Sequence, residues 1–206
     1  RYDLAPYTWE LVQEMNGKNA IFTQPPMPIK CAGAPQKAMY LSCDHWQKSG
    51  QLEGMNVSFC NAGPVLFGCA TYVPPLMKYV EKYGINLDFG HNLTKIDGPS
   101  KKAWFSVKKE GEDAKTIERS FDMIHVCPPQ RAPDFIKNSP LANEGGWVDV
   151  NAETLQHNKF SNIFSLGDVT STSNAKTVAA ARKQAPIVAQ NIIAYLDKKE
   201  PKPLYD

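Results

Sequence analysis

The octapeptide Lys30-Cys31-Ala32-Gly33-Ala34-Pro35-Gln36-Lys37 sets a thiol between two lysines, at a turn that follows the apolar residues 19–23. A thiol reacts as its thiolate, and both a helix N-terminus and nearby ammonium groups favour that anion. Of the five cysteines, Cys31 is the one whose neighbours suit nucleophilic or redox chemistry. The commoner fate of an unpaired cysteine is a structural one, and Cys43, Cys60, Cys69 and Cys127 are read that way. A second candidate is Asn162-Ile163-Phe164-Ser165-Leu166-Gly167-Asp168. It reads as a buried strand ending at a glycine, where backbone approaches a ligand closely, and then projecting a carboxylate at the strand's carboxyl end. A carboxylate there accepts hydrogen bonds from sugar-like hydroxyls. The helix expected behind it, with Lys176 and Thr177 in its first turn, offers unpaired N–H groups to negative charge. A strand that simply ends in a capping aspartate is the structural alternative.

Other chemistries are disfavoured. There is no Cys-x-x-Cys pair, and His45, His91, His125 and His157 stand apart, which argues against zinc. A net charge of +2 with scattered lysines gives no electrostatic case for nucleic acid. No stretch approaches the roughly 20 apolar residues that span a bilayer. The chain opens on Arg1-Tyr2-Asp3 rather than Met and is read as a fragment or processed product, soluble by itself. Its 206 residues, 42% hydrophobic and 21% charged, are ample for a globular core.

The elements that must position these residues follow from periodicity. Residues 6–16 predict a helix with Trp9, Leu11, Val12 and Met15 inward, ended by Gly17. Strands are expected at 19–23, 56–60 and 85–89. Between them fall helices over 35–48, with Ala38, Met39, Leu41 and Trp46 as core, and from Pro74 or Pro75 to Tyr83. That alternation is a parallel βαβαβ unit. Residues 93–96, 103–107 and 116–119 alternate like an antiparallel meander, with polar turns at Gly98-Pro99-Ser100 and Glu110-Gly111-Glu112-Asp113. Residues 121–127 return to the buried sheet. The proline-rich stretch 128–143 marks a boundary. Strands at 147–150 and 163–166, a helix over 175–199 bent at Pro186, and a loose tail complete the chain. The fold class is α/β: a Rossmann-like parallel sheet with an antiparallel meander insertion, followed by a second unit. Yet the βαβ unit carries no Gly-x-Gly-x-x-Gly, and its second strand ends at Cys60-Asn61 without the acidic residue that binds a ribose diol.

Taken together, the cysteine octapeptide, Gly17-Lys18-Asn19-Ala20-Ile21-Phe22-Thr23, Met123-Ile124-His125-Val126 with Pro128-Pro129, Gly146-Trp147-Val148-Asp149-Val150 with Glu153-Thr154-Leu155-Gln156-His157, and Gly167-Asp168 with Lys176-Thr177 resemble the sulfide:quinone oxidoreductases of the mitochondrial-type branch. These are flavoproteins of the pyridine nucleotide-disulfide oxidoreductase superfamily. The resemblance implies sulfide and quinone as substrates and FAD as cofactor, with peripheral association to the inner membrane and possible homo-oligomers. It implies that Cys31 is the redox cysteine nearest the flavin. Gly167 and Asp168 would hold the ribityl chain, Lys176 and Thr177 would face the pyrimidine end, and Pro129 with Pro128 would pack near the ring. Residues 1–130 become a degenerate dinucleotide-binding-like domain, and 131–206 the C-terminal part of an FAD-binding domain. The family's glycine-rich FAD motif and second redox cysteine are not in this sequence, so the chain alone is expected to be inactive and to bind FAD weakly or not at all. An NAD(P)H-dependent FAD disulfide or quinone reductase, such as a type II NADH dehydrogenase, and a non-catalytic Rossmann-like binding domain are the rival readings.

Overall fold

The computed structural model describes residues 2–108, 112–202 and 204–205. They fall into two compact units: Arg1–Met27 with Ala32–Pro129, and Pro28–Cys31 with Gln130–Asp206.

The first unit is built on four parallel strands, β1 (Asn19–Gln24), β2 (Asn56–Asn61), β3 (Asn86–Phe89) and β7 (Met123–His125), in the order β3-β2-β1-β7. Helix α2 (Gly33–Ser49) links β1 to β2, and α3 (Val73–Lys82) links β2 to β3. The expected βαβαβ alternation and the return of the chain to the sheet at 121–127 are both found. Side chains alternate across the strands. Ala20, Phe22, Val57 and Phe59 pack with α1 (Ala5–Gln13), α2 and α3 through Val12, Met39, Trp46 and Val80. Ile21 and Cys60 face the other way, onto Ala103, Phe105 and Phe121. Two of those three belong to the meander of β4 (His91–Asp97), β5 (Lys102–Val107) and β6 (Lys115–Ser120), which is antiparallel as expected. Part of the turn expected at Glu110-Gly111-Glu112-Asp113 lies outside the described residues.

Several local expectations are corrected. Helix α1 ends at Gln13, with Glu14 as its cap, and Gly17 lies beyond it. What requires glycine at 17 is a close approach, since a Cβ there would collide with the Asp122 side chain. Trp9 and Leu41 stand exposed, because each helix buries only one stripe. Trp46 is fully buried, and its indole N–H donates to the Val12 carbonyl at 2.9 Å. Asn61 spends its amide on structure, accepting from Gly63 N–H at 2.8 Å and donating to the Val65 carbonyl at 2.9 Å. The cysteines also divide differently. Burial pushes the Cys43 and Cys60 thiols up to about 12, whereas Cys127 is half-buried and Cys69 is exposed.

The second unit is less regular. Residues 147–150 and 163–166 form isolated bridges, Val148 to Ala142 and Thr170, Val150 to His157, and Phe164 to Gln156, instead of strands. A one-turn helix, α4 (Asp134–Lys137), interrupts the proline-rich stretch. The long helix α5 (Val178–Leu196) contains Pro186 as expected. The tail is held: Leu204 and Tyr205 N–H groups donate to the Glu153 carbonyl, and the buried Asn191 side chain accepts from Lys202 N–H at 2.9 Å.

Asp122 accepts the Lys18 and Asn19 N–H groups at 2.8 and 2.9 Å, and these bonds hold its carboxyl below the usual range. A depressed folded pKa contributes stability that is full above the unfolded value and is lost as pH falls through the folded one. Replacing Asp122 with Ala should therefore lower stability at pH 7 by about 1 kcal/mol, allowing for its exposure. Urea titrations of the two proteins should converge as the pH is taken below about 4.

Candidate functional site

The Gly167–Asp168 turn is held by buried polar groups. Gly167 has φ +75°, a left-handed conformation that favours glycine, and it opens a 3-10 turn, Gly167–Val169, where a strand end was expected. Its N–H donates to Gln184 Oε1 at 2.7 Å, and its carbonyl accepts from Thr170 Oγ1 at 3.1 Å. Gln184 lies on α5 and is fully buried. Thr170 Oγ1 is 2.7 Å from Thr172 Oγ1. The leucine before the glycine is extended, and Asp168 after it is exposed. The Asp168 side chain keeps 53% exposure and meets Lys30 Nζ at 3.6 Å.

Lys176 and Thr177 sit one step earlier than expected: α5 begins at Val178, Thr177 is its N-cap, and Lys176 precedes the helix. Thr177 Oγ1 accepts the Ala180 N–H at 3.2 Å. Lys176 is buried. Its ammonium donates to the Thr172 carbonyl at 2.8 Å and lies 4.9 Å from the centre of the Trp147 ring. Burial holds Lys176 below the usual lysine range, the Asp168 carboxylate opposes that, and the like charge of Lys30 adds to it. Val178, the first helical residue, is exposed.

Cys31 is half-exposed and directly follows Lys30. Lys30 N–H donates to Gln130 Oε1 at 2.7 Å, and Ile29 is buried. The four residues Pro28–Cys31 thus belong to the same compact unit as residues 130–206. Lys37 lies exposed on α2. Pro129 belongs to the first unit and is exposed there, lining with Thr23, Gln24 and Cys127 a small cavity of about 70 Å³. So Cys31, Gly167, Asp168, Lys176 and Thr177 share one unit and Pro129 does not. Among the described residues no cluster of three His, Cys, Asp or Glu side chains is placed to hold a metal ion.

Sequence reasoning missed Gln184, Thr170 and the Lys30–Asp168 pair. The only signal for Gln184 was an amide inside an Ala-rich helix. For Lys30 it was a charge beside the thiol, which pointed to the sulfur and not to a carboxylate far along the chain.

Comparison with known proteins places this arrangement. No family model matches the chain. It is 37% identical over 199 residues to the mitochondrial sulfide:quinone oxidoreductase of Mus musculus, an alignment covering 97% of this chain and 44% of that protein. It is 41% identical over 194 residues to the enzyme of the same name from Dictyostelium discoideum, covering 93% of this chain and 42% of that one. The chain belongs to the sulfide:quinone oxidoreductase family. It spans less than half the length of these relatives. The fold agrees. The sulfide:quinone oxidoreductase of Aquifex aeolicus superposes with a TM-score of 0.78 at 19% identity, over 94% of this chain and 47% of that chain. A chain in the mitochondrial ATP synthase of Tetrahymena thermophila superposes with a TM-score of 0.76 at 23% identity, over 96% of this chain and 48% of that one. At those identities the likeness speaks for the fold alone. In this member of the sulfide:quinone oxidoreductase family Cys31 and Gly167–Asp168 lie in the same compact unit.

Replacing Gln184 with Leu leaves the Gly167 N–H buried without its acceptor and should cost about 1–3 kcal/mol in urea unfolding. Gln184→Glu keeps an acceptor oxygen and should recover part of that loss. Hydrogen exchange at the Gly167 amide should accelerate in the leucine variant.

Proposed function

We propose that this chain is the part of a sulfide:quinone oxidoreductase that carries one redox cysteine, Cys31, and the flavin-holding turn Gly167–Asp168. The observation that carries the reading is the convergence of these two motifs, with Lys30, the residue before Cys31, reaching Asp168 at 3.6 Å. Residues 1–130 are then a dinucleotide-binding-like domain without a nucleotide fingerprint, and 131–206 the C-terminal part of an FAD-binding domain. The residues present suit FAD. A half-exposed carboxylate at a glycine turn is an acceptor for ribityl hydroxyls, and the exposed start of α5 directs N–H groups and a helix dipole at a group that gains negative charge. When bound, FAD supplies the two-electron exchange between sulfide sulfur and quinone.

The chain's own residues have separate tasks. In a disulfide with the family's second redox cysteine, Cys31 would be the leaving sulfur: hydrosulfide attacks the partner sulfur, which becomes a persulfide as the S–S bond breaks, and Cys31 departs as a thiolate with the electron pair of that bond. Asp168 orients the cofactor through hydroxyl contacts, with Gln184 and Thr170 fixing the backbone from which it projects. Thr177 caps α5 and so sets the direction of its dipole. Pro129 packs near the ring in the assembled enzyme. The protein resides at the mitochondrial inner membrane as a peripheral protein. Among the described residues no helix is long and apolar enough to cross a membrane.

A non-catalytic reading draws on the Tetrahymena ATP synthase chain, in which the same fold sits inside an assembly. One experiment separates the two. In the full-length protein, Cys31→Ser should cut sulfide-dependent quinone reduction by at least about a hundredfold while the flavin absorbance band stays, and Asp168→Ala should lose that band. Unchanged turnover in Cys31→Ser would refute the catalytic reading.

A further inference from the structure

Lys30, the residue before Cys31, has a partner that its sequence context hides. A lysine beside a thiol reads as an activator of that thiol, yet the Lys30 ammonium lies 3.6 Å from Asp168 Oδ2. The backbone of the same residue is fixed by Gln130, whose Oε1 accepts its N–H at 2.7 Å, and the preceding Ile29 is buried. Three successive attachments thus draw residues 28–31 into the second unit. Beyond Asp168 stands Lys176, which already has the Thr172 carbonyl and the Trp147 ring as partners. Asp168 therefore has Lys30 as its ion-pair partner and feels Lys176 through charge alone. Of the two lysines only Lys30 is continuous with the thiol.

We propose that Lys30 is a positioning residue: its ion pair with Asp168 clasps the Cys31 segment to the Gly167–Asp168 turn, and in doing so holds the carboxylate by Oδ2 and leaves Oδ1 for a cofactor hydroxyl. Linkage makes the effect reciprocal. The clasp limits the excursions of Cys31, and a ligand that orders Asp168 strengthens the clasp. The proposal deepens the redox-cysteine reading and rests on it for its purpose, but its test needs neither sulfide nor quinone.

The test is the alkylation rate of Cys31 by iodoacetamide in the full-length protein, followed peptide by peptide so that the other cysteines do not contribute. Lys30→Met should raise the rate about two- to five-fold, the factor that a partly exposed ion pair is worth. Lys30→Arg should restore the wild-type rate. Asp168→Asn should give the same rise as Lys30→Met, and the double variant should rise no further than either single one. Molar salt should speed wild-type labelling toward the Lys30→Met rate and leave Lys30→Met unchanged. Lys30→Met should also weaken FAD binding, read by flavin fluorescence. Equal rates for wild type and Lys30→Met, or additive effects in the double variant, would overturn the clasp. Failure of Cys31→Ser to lower turnover would instead overturn the functional reading while leaving the labelling pattern intact.

Discussion

The hydrogen bond from Gly167 N–H to Gln184 Oε1 is the constraint on which the site depends. It ties a left-handed glycine at 2.7 Å to Gln184, a fully buried side chain of α5. A buried amide N–H without an acceptor is costly, and few alternative backbone paths would give it one. The Thr170 hydroxyl on the glycine carbonyl holds the other side of the residue. Asp168 projects from this fixed backbone, and its carboxylate meets Lys30 Nζ at 3.6 Å.

The two units stabilise themselves by different physics. The first has a parallel sheet whose strands alternate between two apolar clusters, so its register is set by side-chain periodicity. Among its described residues the second has isolated bridges, the one-turn α4, a 3-10 turn and one long helix, and it holds its loops through side-chain hydrogen bonds. Asn191 bonds the Thr154 and Lys202 carbonyls and the Lys202 N–H. His157 Nδ1 accepts N–H groups from Lys159 and Phe160, and its Nε2 contacts the Leu141 carbonyl. Networks of this kind specify a unique arrangement because each missing bond strands a buried polar group. They also suit a site that must present charge, since Lys176 is accommodated in the interior by a carbonyl and an aromatic face.

The cysteines show how environment separates residues of one type. Cys43 and Cys60 are enclosed, and burial keeps them protonated through the whole physiological range. Arg119 lies 3.6 Å from Cys60 but is committed to Asp88, so its charge only partly offsets that burial. Cys31 stands half-exposed on a tethered segment, which is the combination a thiol needs to meet small nucleophiles and electrophiles.

The α/β class, the parallel βαβαβ unit, its meander and the presence of a long helix around Pro186 were legible because each rests on local pattern: short apolar runs at β1 and β2, polar–apolar alternation in the meander, helical spacing on α2. The family was legible because short motifs around Cys31 and Gly167 are distinctive as strings. Residues 163–166 and 147–150 misled, since an apolar run states a wish for burial and not the partner that satisfies it. The end of α1 misled because Gly17 answers to Asp122, far along the chain. The same holds for the site. The sequence by itself determined which groups are available: one exposed-turn thiol, one carboxylate after a glycine, several lysines. Only the tertiary structure decided that Lys30 serves Asp168, that Lys176 lies under Trp147 and that Gln184 holds Gly167, because those partners are fixed by long-range packing, to which local propensity is blind.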